Sequence, residues 1–288
     1  MPRGQGPKGP KEHSIYMRLV VPVYDTNGIG NSLKSFISGL SISDDTKILD
    51  NPRSALGNFR SVLEELFIFD NNTGSGEPIF FDTWRFLVLT DEELDQPNLS
   101  NDQSHETGIH PFTQKALPIF SEMSKIDLYY DRSLIHDRVY NRIMRAIDKI
   151  QWRTTVLDEV ERVHSTFVYP VCGVSVRTWK AAHEKNISRP YDPRVYKDAI
   201  QKVMATDCPQ TFFVSYDNEG AAKDYGDCFQ GPRTITYPRR PEINETQHAV
   251  VKMLLLSKCN IFICNRQSTY SELAFWFSRC TQKVIALY

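Results

Sequence analysis

Short, unbroken apolar runs recur along this chain, with stretches of helical spacing between them. The runs are Met17–Val23 (MRLVVPV), Phe167–Val176 (FVYPVCGVSV), Gln210–Ser215 (QTFFVS), Asn260–Cys264 (NIFIC) and Lys283–Leu287 (KVIAL). A strand with one wet face alternates apolar and polar residues. A continuous run of branched and aromatic residues needs cover on both faces. Intervening helices supply that cover through right-handed crossovers between parallel strands. The pattern predicts an α/β protein, and in open parallel sheets ligands bind beyond the carboxyl ends of strands. Function is therefore expected in the loops after Val23, Val176, Ser215 and Cys264.

After Val23 comes YDTNGIGNS, then LKSFISGL, with Leu33, Phe36, Ile37 and Leu40 at helical spacing. Lys47–Leu49 reads as a short strand and Phe59–Phe67 as an amphipathic helix. Ile79–Phe81 and Phe86–Leu89 read as strands bracketing Asp82, and the polar segment Asp91–His110 as a long surface loop or lid. Helical spacing covers Pro111–Ile126 and Ser133–Ile150 and continues over Leu157–His164. Later helices are expected at Pro193–Met204, Thr246–Leu256 and Ser271–Phe277, with a start near Glu219, and a short strand at Thr234–Tyr237. Two strand–helix sets, divided by a long helical stretch, imply two Rossmann-like domains, 15–160 and 161–288, behind a flexible tail, 1–14.

Charge and cysteine usage exclude several classes. There are 34 Lys+Arg against 35 Asp+Glu, so the chain has no general pull toward nucleic acid or an anionic membrane. No apolar run approaches the roughly 18 residues of a membrane span. The opening MPRGQGPKGPKEHS lacks the apolar segment of a secretory signal. A soluble, cytoplasmic protein is expected. Cys172, Cys208, Cys228, Cys259, Cys264 and Cys280 form no CxxC pair and no zinc spacing with histidine, so buried free thiols are expected. Sequons at Asn71, Asn98, Asn186 and Asn244 carry little weight without a secretion signal.

The strand-end loops offer chemistry for an anion. Gly28 and Gly30 permit positive φ and close backbone approach, and Asn31 can cap the following helix or meet a ligand. The pattern is not G-x-G-x-x-G, because position 33 is Leu, so a plain tight turn is an equal reading. Arg177 and Lys180 follow a strand, as suits a diphosphate or a surface ion pair. Asp217 and Asn218 can accept bonds from a ribose or base, or cap a helix. Ser268, Thr269 and Ser271 sit at a strand-to-helix junction, where hydroxyls and free amides cradle phosphate. Ser268 and Glu272 stand near capping-box spacing. Of Arg233, Arg239 and Arg240, one can reach the cleft, and the last two fit the surface better. No D-x-D triplet occurs, so charge on a bound diphosphate is expected to be met by cations and helix ends rather than by a metal.

The order of these pieces carries a resemblance. NGIGNSLKSFISGLSI resembles the G-x-G-N-x-L loop and helix of the fucosyltransferase-like superfamily, which includes α1,2-, α1,6- and protein O-fucosyltransferases. GVSVRTWK resembles its H-x-R-R-x-D segment, FFVSYDNEGAAKDYG its strand-Thr-Asp-Asp segment, and LLLSKCNIFICNRQSTYSELAFW its closing L-L-S-x-C-D-x-F-I-x-S-x-x-S-T-F-S segment. The chain is also similar to compact glycosyltransferases of large algal viruses, including a xylosyltransferase. The resemblance implies a GT-B fold, with two Rossmann-like domains facing a cleft. It implies inverting, metal-independent transfer from a nucleotide sugar to a glycan or glycoprotein hydroxyl. By position, Arg177 would bind the β-phosphate, Ser268 and Thr269 the diphosphate, and Asp217 the nucleoside. Gly30 and Asn31 would lie near the reacting sugar. Ser175 stands at the family's His, Thr178 at its second Arg and Lys180 at its acid, while Arg266 and Gln267 replace Ser/Pro-like residues. Those changes surround the donor and make UDP-xylose a candidate beside GDP-fucose.

Inversion needs one base to take the acceptor's proton while the diphosphate leaves. Asp82, Asp91 and Asp25 are the candidate acids. The rival readings are a non-catalytic nucleotide-sugar or carbohydrate-binding protein, a cysteine enzyme and a dinucleotide oxidoreductase. The last two are disfavoured: Cys172 and Cys264 lie inside apolar runs, and neither half has a full dinucleotide fingerprint.

Overall fold

The structure is a computed structural model that describes residues 19–22, 29–42, 46–49, 130–135, 137–178, 192–218, 220, 222–229, 231, 233–266 and 268–287. The expected helices at 59–67 and 111–126, the strands at 79–81 and 86–89, the 91–110 loop and the 1–14 tail lie outside the described residues.

In the first half, β1 (Leu19–Pro22) pairs in parallel with β2 (Thr46–Leu49), and α1 (Ile29–Ile42) connects them. The long helical stretch is broken in the structure. Asp131 caps a 3-10 turn, Arg132–Leu134, by accepting from Ser133 N at 2.9 Å. Then come α2 (Asp137–Asp148) and, after a gap, α3 (Thr154–His164). The gap holds Trp152, whose ring packs edge-on against Phe277 with centroids 5.6 Å apart. That tertiary contact outweighs the continuous helical spacing.

The second half is β3 (Val171–Val176), α4 (Pro193–Thr206), β4 (Thr211–Tyr216), α5 (Ala222–Tyr225), β5 (Arg233–Thr236), α6 (Glu245–Leu256), β6 (Ile261–Asn265), α7 (Thr269–Phe277) and β7 (Lys283–Leu287). All five of these strands are parallel, in the order β5-β4-β3-β6-β7. The run expected as a strand from Phe167 starts only at Val171, because Pro170 has no N–H for the ladder. The helix expected near Glu219 begins at Ala222 and lasts one turn. Helix α6 begins at Glu245 because Asn244 closes a capping box with Gln247, at 2.8 and 3.3 Å. The sequon asparagine at 244 is thus a helix cap.

Side chains alternate across the sheet with period 2. Cys172, Val174, Val176, Phe212, Val214, Ile261 and Ile263 face one core, with Tyr196, Ile200 and Val203 of α4. Val171, Phe213, Phe262 and Cys264 face the other, with α1, α2, α3, α6 and α7. Both faces are covered, as the unbroken apolar runs require. Among the described residues no helix is long and apolar enough to cross a membrane. The six cysteines are free thiols; five are buried and Cys208 is exposed.

Gly173 lets α6 approach β3 closely. A Cβ there would lie 2.9 Å from Cys259 Sγ and 3.1 Å from Leu256 Cδ2. Gly173→Ala is expected to cost about 1–3 kcal/mol by overpacking. Urea unfolding measures this, and an unchanged midpoint would show that the interface yields.

Candidate donor site at the switch point of the sheet

The chain leaves β3 into α4, on one face of the sheet, and leaves β6 into α7, on the other. The two strands are neighbours, with Val174 beside Ile263. Adjacent parallel strands whose connections depart to opposite faces leave a crevice at their carboxyl ends, where ligands of open α/β sheets bind. One rim is Ser175–Thr178 and the other holds Asn265, Arg266, Ser268 and Thr269.

The rims are held by hydrogen bonds. The Tyr196 hydroxyl donates to Ser175 O (3.2 Å) and accepts from Arg177 N (3.3 Å), which fixes how the chain exits β3. Burial pushes the Tyr196 phenol well above its ordinary pKa, so it remains a donor. Thr178 donates to Asp217 from its amide (2.7 Å) and its hydroxyl (2.6 Å), tying the loop after β3 to the loop after β4. Asn218 Oδ1 accepts from Gly220 N at 2.9 Å. On the other rim, Ser268 is the N-cap of α7: its Oγ accepts from Ser271 N at 3.3 Å. The Tyr130 hydroxyl lies 3.3–3.4 Å from the carbonyls of Asn265, Arg266 and Ser268, bracing that turn. Across the crevice the buried hydroxyls of Ser271 and Ser175 are 3.4 Å apart. Burial also raises the Tyr270 phenol, with a partial offset from Ser215.

Helix α1 joins this site from the first half. A Cβ on Gly30 would lie 2.7 Å from Tyr270 N and 2.8 Å from Thr269 Oγ1. One turn later, Lys34 Nζ is 2.7 Å from Glu272 Oε2. Gly30 meets the start of α7 and Lys34 meets its next residues, so α1 and α7 run side by side in one direction. Their N-termini, each carrying a partial positive charge, come together beside the crevice.

The structure thus brings Gly30, Arg177, Ser268 and Thr269 to one place, with Asp217 and Asn218 on the adjoining loop. Asn31 lies inside the first turn of α1 and is not its cap, since the helix begins at Ile29. Gly30 is needed for close approach to α7; its φ is not positive. Glu272 does not complete a capping box with Ser268: its carboxylate goes to Lys34. Arg233 opens β5 beside Thr211, at the amino end of the sheet. Five residue steps of roughly 3.3 Å separate that level from the crevice. Arg240 pairs with Glu159 at 2.8 Å. Asp25, Asp82, Asp91, Gly28 and Lys180 lie outside the described residues. The sequence does not single out Lys34, Tyr130 or Tyr196. Their partners lie on other elements, and no local spacing marks them.

No protein-family model matches the sequence, and no curated protein does. Solved structures do match in shape. Fucosyltransferase NodZ from Bradyrhizobium matches with a TM-score of 0.54 at 15% identity, over 94% of each chain. NodZ α-1,6-fucosyltransferase soaked with GDP-fucose gives 0.53 at 15% identity, again over 94% of each chain. The apo form of POFUT1 gives 0.50 at 10% identity, over 96% of this chain and 99% of that one. This chain has the fold of the GT-B fucosyltransferases. Among the described residues no group of three His, Cys, Asp or Glu is placed to hold a metal ion.

Proposed function

We propose that this chain is an inverting glycosyltransferase that moves fucose from GDP-fucose to a glycan hydroxyl. The observation that carries the reading is the crevice between β3 and β6, with Arg177 on one rim, Ser268 and Thr269 on the other, and two helix N-termini converging beside it. Cations and helix N-termini are what a departing nucleoside diphosphate needs. GDP-fucose is favoured because a protein of this fold was soaked with it. In this reading 161–288 binds the donor, with Asp217 toward the nucleoside. Residues 15–160 form the acceptor side and supply the base, one of Asp82, Asp91 and Asp25. Lys180 adds a second cation and Gly28 completes the loop. The diphosphate charge is balanced without a divalent ion.

A second reading, UDP-xylose as donor, is favoured by Ser175 and Thr178, which stand where the resembling family has His and Arg. Titration with GDP, UDP, GDP-fucose and UDP-xylose decides between the two. Release of free nucleoside diphosphate in the presence of a glycan acceptor separates a transferase from a binding protein. EDTA is expected to leave turnover unchanged; loss of activity restored by manganese would overturn the metal-free mechanism. Arg177→Ala is expected to weaken GDP binding about 10- to 100-fold, the value of a hydrogen-bonded charge. An unchanged GDP isotherm would remove Arg177 from the phosphate site.

A further inference from the structure

Lys34 is fully buried, and its ammonium lies 2.7 Å from the buried Glu272 carboxylate. Taking two charges out of water costs much of what their attraction returns, and apolar pairs of similar volume often serve stability as well. Stability alone is a weak reason for such a pair. Its place is more informative. Glu272 is the fourth residue of α7, about 4.5 Å along the axis from its first residue. The carboxylate thus belongs to the first turn, within reach of the helix's positive end. Uncompensated, it would compete with a bound pyrophosphate for the positive helix end and repel it.

We infer that Lys34 is a positioning residue of the donor site, acting through Glu272. It cancels that carboxylate's charge so that the start of α7 remains attractive to a diphosphate, and it seats α1 on the same turn. The inference rests on the donor-site reading above. Two residues 238 positions apart in sequence thereby set one electrostatic feature of the crevice.

The test compares the wild-type protein with Lys34→Met, Glu272→Gln and the double variant. Each is titrated at pH 8 and low salt with GDP and with uncharged guanosine. GDP is expected to bind roughly tenfold more weakly to Lys34→Met, more tightly to Glu272→Gln, and near the wild-type level to the double variant. Guanosine affinity is expected to stay level across the series. A purely structural pair gives a different pattern: both single variants weaken GDP and guanosine together, in step with lost melting temperature. That pattern overturns the inference. Should Lys34→Met fail to fold, Glu272→Gln still decides, because GDP binding no tighter than wild type overturns it. Wild-type protein that binds neither GDP nor UDP overturns the donor-site reading, and this inference with it. Wild-type binding with unaltered variants overturns this inference alone.

Discussion

Asparagine in place of the true base among Asp82, Asp91 and Asp25 is expected to lower kcat by roughly 10²- to 10⁴-fold, the usual worth of a positioned proton acceptor. The amide keeps the shape of the carboxylate but cannot take the acceptor's proton. Donor affinity should change little, because the proposed function places the pyrophosphate on the later half of the chain, around Arg177 and Ser268. The split between kcat and donor Kd is thus diagnostic. A variant that loses both together has lost structure instead. If all three asparagine variants turn over at the wild-type rate, the base is another group and the assignment falls. The three positions differ in sequence setting: Asp82 follows an apolar run, Asp91 opens a polar stretch, and Asp25 precedes the glycine-containing loop.

Gly30→Val should have the largest structural effect. A first side-chain carbon at this position meets Tyr270 N at 2.7 Å and Thr269 C at 3.0 Å. Both are backbone atoms at the start of a helix whose later residues, Leu273 to Trp276, are buried. Neither can step aside as a flexible side chain would. Helix α1 must then lift from α7, and the buried contact between Lys34 and Glu272 is broken with it. The expected cost is about 3 kcal/mol or more, the upper end for overpacking, and a fall in melting temperature of roughly 10 °C for a chain of this size. GDP binding should be lost as the two helix ends separate. Gly30→Ala meets the same atoms with less bulk and should fall between. Wild-type stability and GDP affinity in Gly30→Val would show that the α1–α7 contact is dispensable.

The sheet was readable because its strands are buried on both faces. Gln210–Ser215 and Asn260–Cys264 could hardly be anything else, and their observed bounds shift by one residue. Strand-end logic also points to Arg177, Ser268 and Thr269, which the structure brings to the rims of one crevice, where parallel sheets place ligands whatever the ligand is. Register and partner choice were not readable. Arg233 looked available because β5 is close in sequence to other basic residues; pairing with Thr211 puts it at the far end. Of the two freedoms expected of Gly30, positive φ and close backbone approach, the structure uses only the second, to make room for α7. Lys34 carries no local mark of its role, since its acid lies 238 residues away. Glu272 read as a cap because its neighbours in sequence were visible and Lys34 was not. Local signals report what a residue does to its own helix; they are silent on which distant element will claim it.

The side-by-side course of α1 and α7 has a practical consequence. Parallel neighbours set their dipoles against each other, a mild repulsion that any multivalent anion settling at the joined ends relieves. Sulfate or phosphate in a buffer is expected to settle there, stabilising the protein and, under the proposed function, competing with the sugar nucleotide. Ligand screens and assays on this chain therefore belong in buffers such as HEPES with chloride as the counterion.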